Sequence, residues 1–415
     1  MLAYACEPGE GGEPSVGWHW AVNATLNGHR VTVVTRSNNA HKISTGLEDL
    51  PDDVSSRLEF VYRDLGPRFL RLKRRGGIFG LLGYYYVWQI SLLFFLRGLA
   101  RREKFDLAHH VTFCNDSIFS ALVFSGLPLV IGPTGGYSHK VPRQILRTMD
   151  GPSRQYERRR RALQFCLRYC DPLSWLSRIK AHRVLPYTEE TTTVYSRRLR
   201  TKSTVLRHVG LGSNELRDEP KAPRDKDAPL LLVSAGRLVH WKGFDIAIDA
   251  AAAALRQGVP LRLVIIGKGP DESKLRRRAQ QAGVEAQVEF LGRLDSHDDV
   301  LKWIGDADVY IQPTLRDGPP VAILEALARG TLVMTADAGA NAEVLGSRGG
   351  VLARADAGRE RLVTELAAAL VHAHADPDWA ATLAAGGLQV LREERTWDVI
   401  GREVERFYQT LNVGP

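Results

Sequence analysis

A β-rich run, Val309-Tyr310-Ile311-Gln312, is followed closely by residues 323–328, which read as an amphipathic helix. Between them stands Asp317-Gly318-Pro319-Pro320-Val321, a Gly/Pro turn opened by an acid, and Glu325 follows Asp317 after seven intervening residues. So short a passage from strand to helix puts a helix N-terminus, with unused backbone amides, at the carboxyl end of a strand. Such an end holds anions. Two carboxylates at its rim accept hydrogen bonds from hydroxyls of whatever carries the anion. A sugar nucleotide has that chemistry: diphosphate on the helix end, ribose on one acid, sugar hydroxyls on the other. An acidic cap followed by a helix-face glutamate is the plainer reading of the same residues.

The strand-then-helix pattern recurs along the chain. Val31-Thr32-Val33-Val34, Leu107-Ala108-His109-His110-Val111, Leu129-Val130-Ile131-Gly132 and Arg183-Val184-Leu185-Pro186 read as strands of the first half. Leu230-Leu231-Leu232-Val233-Ser234, Leu261-Arg262-Leu263-Val264-Ile265-Ile266, Val288-Glu289-Phe290 and Val309-Tyr310-Ile311 restart the alternation after a polar stretch over residues 213–227. Alternation of this kind builds parallel α/β sheets. At 415 residues the expectation is two doubly wound Rossmann-like domains facing a cleft: 1–205, a linker over 206–228, and 229–393. A last helix, 394–415, is expected to pack back on the first domain.

Charge divides along the same line. Residues 1–205 carry 30 basic against 17 acidic side chains, and residues 206–415 carry 26 against 30. The asymmetry points to an anionic partner for the first domain, and with no nucleic-acid module in the sequence a membrane surface ranks above nucleic acid. Cys6, Cys114, Cys166 and Cys170 show neither a disulfide framework nor zinc spacing, and no segment reads as a secretory signal. A cytoplasmic location follows as the expectation. Leu2-Ala3-Tyr4 is short for an opening strand, so the native start is expected upstream.

Other residues join the anion reading. Gly11 and Gly12 occupy a turn between strand and helix and permit close backbone approach, although the turn lacks the Rossmann and phosphate-loop fingerprints. Arg237 and Lys242, in Gly236-Arg237-Leu238-Val239-His240-Trp241-Lys242-Gly243, bracket a short loop after a strand and offer a fork and a point charge for a diphosphate. That neutralises a leaving nucleotide without a metal. Asp306-Ala307-Asp308 precedes a strand, where such acids cap or face solvent, so no metal site is assigned. His109 or His110 at a strand end would contact a transferred sugar; a satisfied buried imidazole is the plainer reading of each. His19, His29, His139, His240 and His297 receive only that reading.

In order and spacing these motifs resemble family 4 glycosyltransferases, the retaining group with a GT-B fold. The resemblance spans nearly the whole chain, through Gly-His-Arg-Val-Thr-Val-Val at 28–34, Gly236-Arg237…Lys242-Gly243, Gly267-Lys268-Gly269-Pro270, Phe290-Leu291-Gly292 and Asp317…Glu325-Ala326. Glu13-Pro14-Ser15-Val16-Gly17-Trp18 resembles the first loop of a bacterial branch. The resemblance implies that Arg237 and Lys242 bind the donor diphosphate, Glu325 binds ribose and Asp317 lies near the sugar. Gly236, Gly267, Gly269, Arg293, Leu294, Gly318, Pro319, Pro320 and Val321 would line the donor pocket, with Gly11 and Gly12 approaching from the first domain. Two departures stand out: Asp317 is shorter than the family glutamate, and Pro319 removes a backbone donor. The implied activity is metal-independent transfer of a hexose from a nucleotide-diphosphate sugar, a substrate rather than a cofactor, to a saccharide or lipid-linked acceptor. A noncatalytic subunit of the same fold and a sugar-nucleotide epimerase are the alternatives.

Two segments bear on the membrane reading. Residues 68–75 are basic, and the apolar run 78–99 contains Tyr84-Tyr85-Tyr86, Trp88 and Phe94-Phe95. A buried helix is expected there ahead of an interfacial one. Arg158-Arg159-Arg160-Arg161 adds a second basic helix.

Overall fold

The structure is a computed structural model of the full chain. It describes residues 1–411 except positions 76, 114–116, 136–138, 317, 319 and 347, and gives only the backbone of 72–75 and 77–79. Asp317 and Pro319 thus lie outside the described residues.

The first unit comprises Met1–Ser138, Arg158–Val209 and Trp397–Pro415. Its sheet holds β1 (Leu2–Ala3), β2 (Val31–Thr35), β3 (Leu58–Tyr62), β4 (Ala108–Thr112), β5 (Leu129–Thr134) and β6 (Ala181–Pro186). The order is β3-β2-β1-β4-β5-β6 and every pairing is parallel. Parallel strands must be covered on both faces, which accounts for the wholly buried sequences of β2, β4 and β5. Helix Glu13–Leu26 crosses close to the end of β1, because a side chain at Gly17 would collide with the carbonyl oxygen of Ala5. The terminal helix Trp397–Gln409 packs on the same unit: Asn23 Nδ2 donates to Trp397 O at 3.0 Å and the His19 ring stacks on Trp397 at 4.3 Å.

The apolar run at 78–99 forms two helices, Gly77–Ser91 and Leu93–Arg102. Tyr84, Tyr85, Trp88, Leu92 and Leu96 are buried beside Leu2, Tyr4 and Phe119. No described helix is long and apolar enough to cross a membrane.

The second unit comprises His139–Glu157 and Gly210–Thr396. Its sheet holds β7 (Leu230–Ala235), β8 (Leu261–Ile266), β9 (Val288–Gly292), β10 (Val309–Ile311), β11 (Leu332–Ala336) and β12 (Val351–Ala353). The order β12-β11-β10-β7-β8-β9, again all parallel, repeats the topology of the first sheet. Helices Phe244–Arg256 and Arg359–Ala375 cover it with Ile246, Ile248, Leu362, Leu366 and Leu370, all fully buried.

The division into units does not run along the chain in one step. Residues 139–157 belong with the second unit, where Val141 and Ile145 join its core. The polar stretch 213–227 lies along the same unit: Arg217 N–H donates to Ala328 O at 2.9 Å, and Lys221 Nζ to Ala307 O at 2.6 Å.

Candidate functional site

In an open parallel sheet, ligands bind beyond the carboxyl ends of the strands, where the connections turn to opposite sides. In the second unit that point lies between β7 and β10, adjacent strands separated in sequence. The loop after β7 carries Arg237 and Lys242, and the loop after β10 leads into the helix of Glu325.

Backbone contacts join these loops. Gly236 N–H donates to Ile266 O at 2.9 Å, Gly267 N–H to Gly292 O at 2.7 Å and Leu238 N–H to Lys268 O at 3.2 Å. Gly267 has φ +132°, and any side chain there would run into the Gly236 carbonyl. Gly243, at φ +75°, starts helix Phe244–Arg256, and a side chain would strike the carbonyl of Pro313. Leu315 N–H donates to Trp241 O at 2.8 Å, closing the β7 loop against the β10 loop. The strand ends of β7, β8, β9 and β10 therefore present one continuous rim. On it Arg237 and Arg293 are exposed, while Lys242, Leu294, Gly318 and Val321 are partly exposed and Pro320 is buried. Gly269 is fixed in place by the close approach of the Leu238 carbonyl.

Helix Val321–Ala328 begins after Pro320, with no side chain capping it among the described residues. Its backbone pairing begins with Ile323 N–H on Pro320 O at 3.0 Å, one turn in. The first amides thus face the turn, as an anion requires. Glu325, one turn on, is 8% exposed, and its Oε1 lies 2.9 Å from His297 Nε2. The Glu325 carboxylate holds the His297 imidazolium, raising its pKa above the usual value. Sequence reasoning gave His297 no role, because 28 residues separate it from its partner. Tyr310 and Gln312 brace the strand end: Gln312 Nε2 donates to Ala235 O at 3.0 Å, and the Tyr310 hydroxyl lies 2.6 Å from Gln312 Oε1.

A second cluster supports the same rim. Glu157, with no exposed side chain, accepts Arg316 Nε at 2.9 Å and lies 3.0 Å from His240 Nε2. The Arg316 guanidinium sits 4.1 Å above the Trp241 ring, which also stacks on Tyr156 at 5.6 Å. Its Nη2 is buried without a hydrogen-bond partner among the described residues. Residues 156 and 157 thus tie His240-Trp241-Lys242 to the segment immediately before Asp317. No short-range pattern announced this cluster.

Asp308 does not share a site with Asp306. Its carboxylate accepts Leu231 N–H at 2.8 Å at the amino-end edge, away from the glycine loops, while Asp306 ends a helix and is exposed. Among the described residues no His/Cys/Asp/Glu cluster could hold a metal ion.

In the first unit, Gly12 has φ +71° and precedes helix Glu13–Leu26, and exposed Gly11 stands beside it. Glu13 accepts Phe113 N–H at 3.0 Å and lies 3.5 Å from the Tyr187 hydroxyl. Burial raises the pKa of its carboxyl. His109 and His110 fit the plainer reading of buried, hydrogen-bonded imidazoles. His109 is 1% exposed, with Nδ1 2.7 Å from the Tyr408 hydroxyl and Nε2 2.8 Å from Gly132 O. His110 is 2% exposed, with Nε2 2.9 Å from the Tyr85 hydroxyl. Burial lowers both to a pKa of about 3, and both rings are occupied by the protein. Gly136 of the neighbouring loop lies outside the described residues.

Residues 216–371 match the family model described as "Glycosyl transferases group 1". The chain is similar to the putative colanic acid biosynthesis glycosyltransferase WcaL of Escherichia coli K12, at 31% identity over 208 residues, 48% of this chain and 50% of that protein. It spans about half the length or less of this and other curated relatives it matches. Among solved structures, Anabaena Alr3699/HepE in complex with UDP and glucose superposes with a TM-score of 0.60 at 17% identity, over 99% of both chains. Sucrose-phosphate synthase from Thermosynechococcus elongatus gives 0.65 at 17% identity, over 99% of this chain and 96% of that one. These likenesses define the fold: two Rossmann-like units of the GT-B type.

Proposed function

We propose that this protein is a retaining glycosyltransferase of family 4 that moves a hexose from a nucleotide-diphosphate sugar to a saccharide or lipid-linked acceptor in polysaccharide or glycolipid biosynthesis. The observation that carries the proposal is the joined rim of the second unit. Gly236, Gly267 and the Gly243–Pro313 contact bring the Arg237/Lys242 loop and the helix of Glu325 to one switch-point edge. The likeness to WcaL, named for colanic acid biosynthesis, supports the polysaccharide context.

In this reading the donor diphosphate lies on Arg237, Lys242 and the first amides of helix Val321–Ala328. Negative charge grows on the leaving diphosphate as the glycosidic bond loosens, and fixed cations and dipoles stabilise it. No metal is required, since the two side chains supply the charge. Glu325, pre-oriented by His297, accepts ribose hydroxyls, and Asp317 serves the sugar. The acceptor attacks the face the leaving group departs from, and the departing phosphate oxygen takes the acceptor proton. The protein works in the cytoplasm, peripheral on the inner face of the cell membrane.

The test is turnover by purified protein. UDP-, GDP- and ADP-hexoses are offered with and without a bacterial lipid extract, and products are read by mass spectrometry. One donor giving acceptor-dependent transfer supports the reading. Binding of no donor, or isomerisation of a donor without acceptor, defeats it.

A further inference from the structure

The four-arginine run does not form one solvated face. Arg160 is 6% exposed and Arg161 is partly buried. The exposed features lie farther along the same helix, Gly151–Tyr169, and on the next one, Pro172–Lys180. Asp171 fixes the turn between them, accepting Leu173 N–H and the Tyr86 hydroxyl, each at 3.0 Å. There Phe165, Tyr169 and Trp175 are 61%, 65% and 60% exposed, and the Phe165 and Tyr169 rings lie 4.8 Å apart. Three large aromatics left open within eleven residues are not needed by a core that buries Tyr84, Tyr85 and Trp88 completely.

Beside these rings runs a groove of about 530 Å³. Arg168, Arg178 and Arg198 line it with Tyr169 and Trp175, and no acidic side chain does so among the described residues. Arg178 donates to the Arg168 carbonyl, so the first two arginines are held together. Burial, and after it the Arg168 charge, lower the Arg178 pKa. Exposed Lys180, Arg197 and Arg200 extend the positive field. All of these residues belong to the first unit.

We propose that this groove and its aromatic rim dock on the headgroup layer of an anionic phospholipid bilayer. Arginine forks match lipid phosphates, and tryptophan and tyrosine favour the boundary between headgroup and acyl chain. A soluble phosphate would engage the arginines but leave the three rings unexplained. Nucleic acid would use both, and the test separates it. The inference rests on the peripheral membrane location proposed above and gives it a surface; it does not involve the donor site, so vesicle binding and donor turnover fail separately.

The full chain is sedimented with phosphatidylcholine vesicles and with vesicles of equal parts phosphatidylglycerol and phosphatidylcholine. Binding is expected to the anionic vesicles and to weaken with salt. Arg198→Gln should lower the partition coefficient about fivefold, one surface charge being worth about that factor. Trp175→Phe should remove most of the quenching of tryptophan emission by brominated acyl chains, because among the described residues Trp175 is the one exposed tryptophan. A Phe165→Ala/Trp175→Ala variant with unchanged circular dichroism should lose most binding. Three results would overturn the proposal: anionic-vesicle binding unchanged in that variant, no wild-type preference for anionic vesicles, or single-stranded RNA competing the protein off them.

Discussion

His297 Nε2 and Glu325 Oε1 stand 2.9 Å apart, joining the first residue of one helix to the acid of the next. The contact engages one carboxylate oxygen of Glu325 and fixes the orientation of the side chain. Because Glu325 raises the pKa of His297, the contact stabilises the fold fully below the ordinary histidine value of about 6.5. It is lost as pH rises through the raised one. In a histidine NMR titration, the His297 midpoint should lie above 6.5 and return toward that value in Glu325→Gln. The expected shift is only that of a half-exposed ring.

Glu157 offers a harsher test of packing. Its carboxylate is fully buried between Arg316 and His240, so Glu157→Gln leaves a buried guanidinium without its counter-charge. Loss of one partner of such a pair costs about 3–5 kcal/mol. Urea unfolding should show that loss, and Glu157→Gln/Arg316→Met should cost clearly less than the two single changes added together.

Gly267→Ala should damage the rim without touching a charge. The new methyl meets the Gly236 carbonyl, and φ is +132°. Overpacking and strain together predict a loss of about 2–4 kcal/mol, read as a lower melting temperature. Gly283→Ala, at φ +71° with open space around it, should cost less.

Acid should destabilise the first unit through His109 and His110. Both have a folded pKa of about 3, far below the value of about 6.5 in an unfolded chain. Between those values the unfolded chain binds protons that the folded one refuses, so stability falls as pH drops below 6.5. The limiting slope is about 1.4 kcal/mol per pH unit per histidine. Unfolding free energy measured at pH 7, 6 and 5 should follow that sign, and His110→Gln should flatten the curve.

The strand runs were legible because parallel strands buried on both faces are continuously apolar, as in Leu261–Ile266. Gly236, Gly243 and Gly267 were legible because glycine at a strand end signals close backbone approach. Partnerships across the chain were not. His240 finds Glu157 across 83 residues and Arg316 finds it across 159, distances at which no periodicity speaks. The same blindness hid the passage of residues 139–157 into the second unit, since nothing local distinguishes a helix that changes partners midway. The partner of His109 was hidden for the same reason: Tyr408, which closes on it, lies 299 residues away.

The most direct test is the affinity of the purified protein for the nucleoside diphosphate that binds best, measured by titration calorimetry. Wild type should bind, and Arg237→Ala and Lys242→Ala should each weaken binding by about tenfold or more, the worth of one charge-assisted contact to phosphate. Arg237→Ala should keep the wild-type melting temperature. Equal affinity in all three proteins would contradict a diphosphate held on that rim.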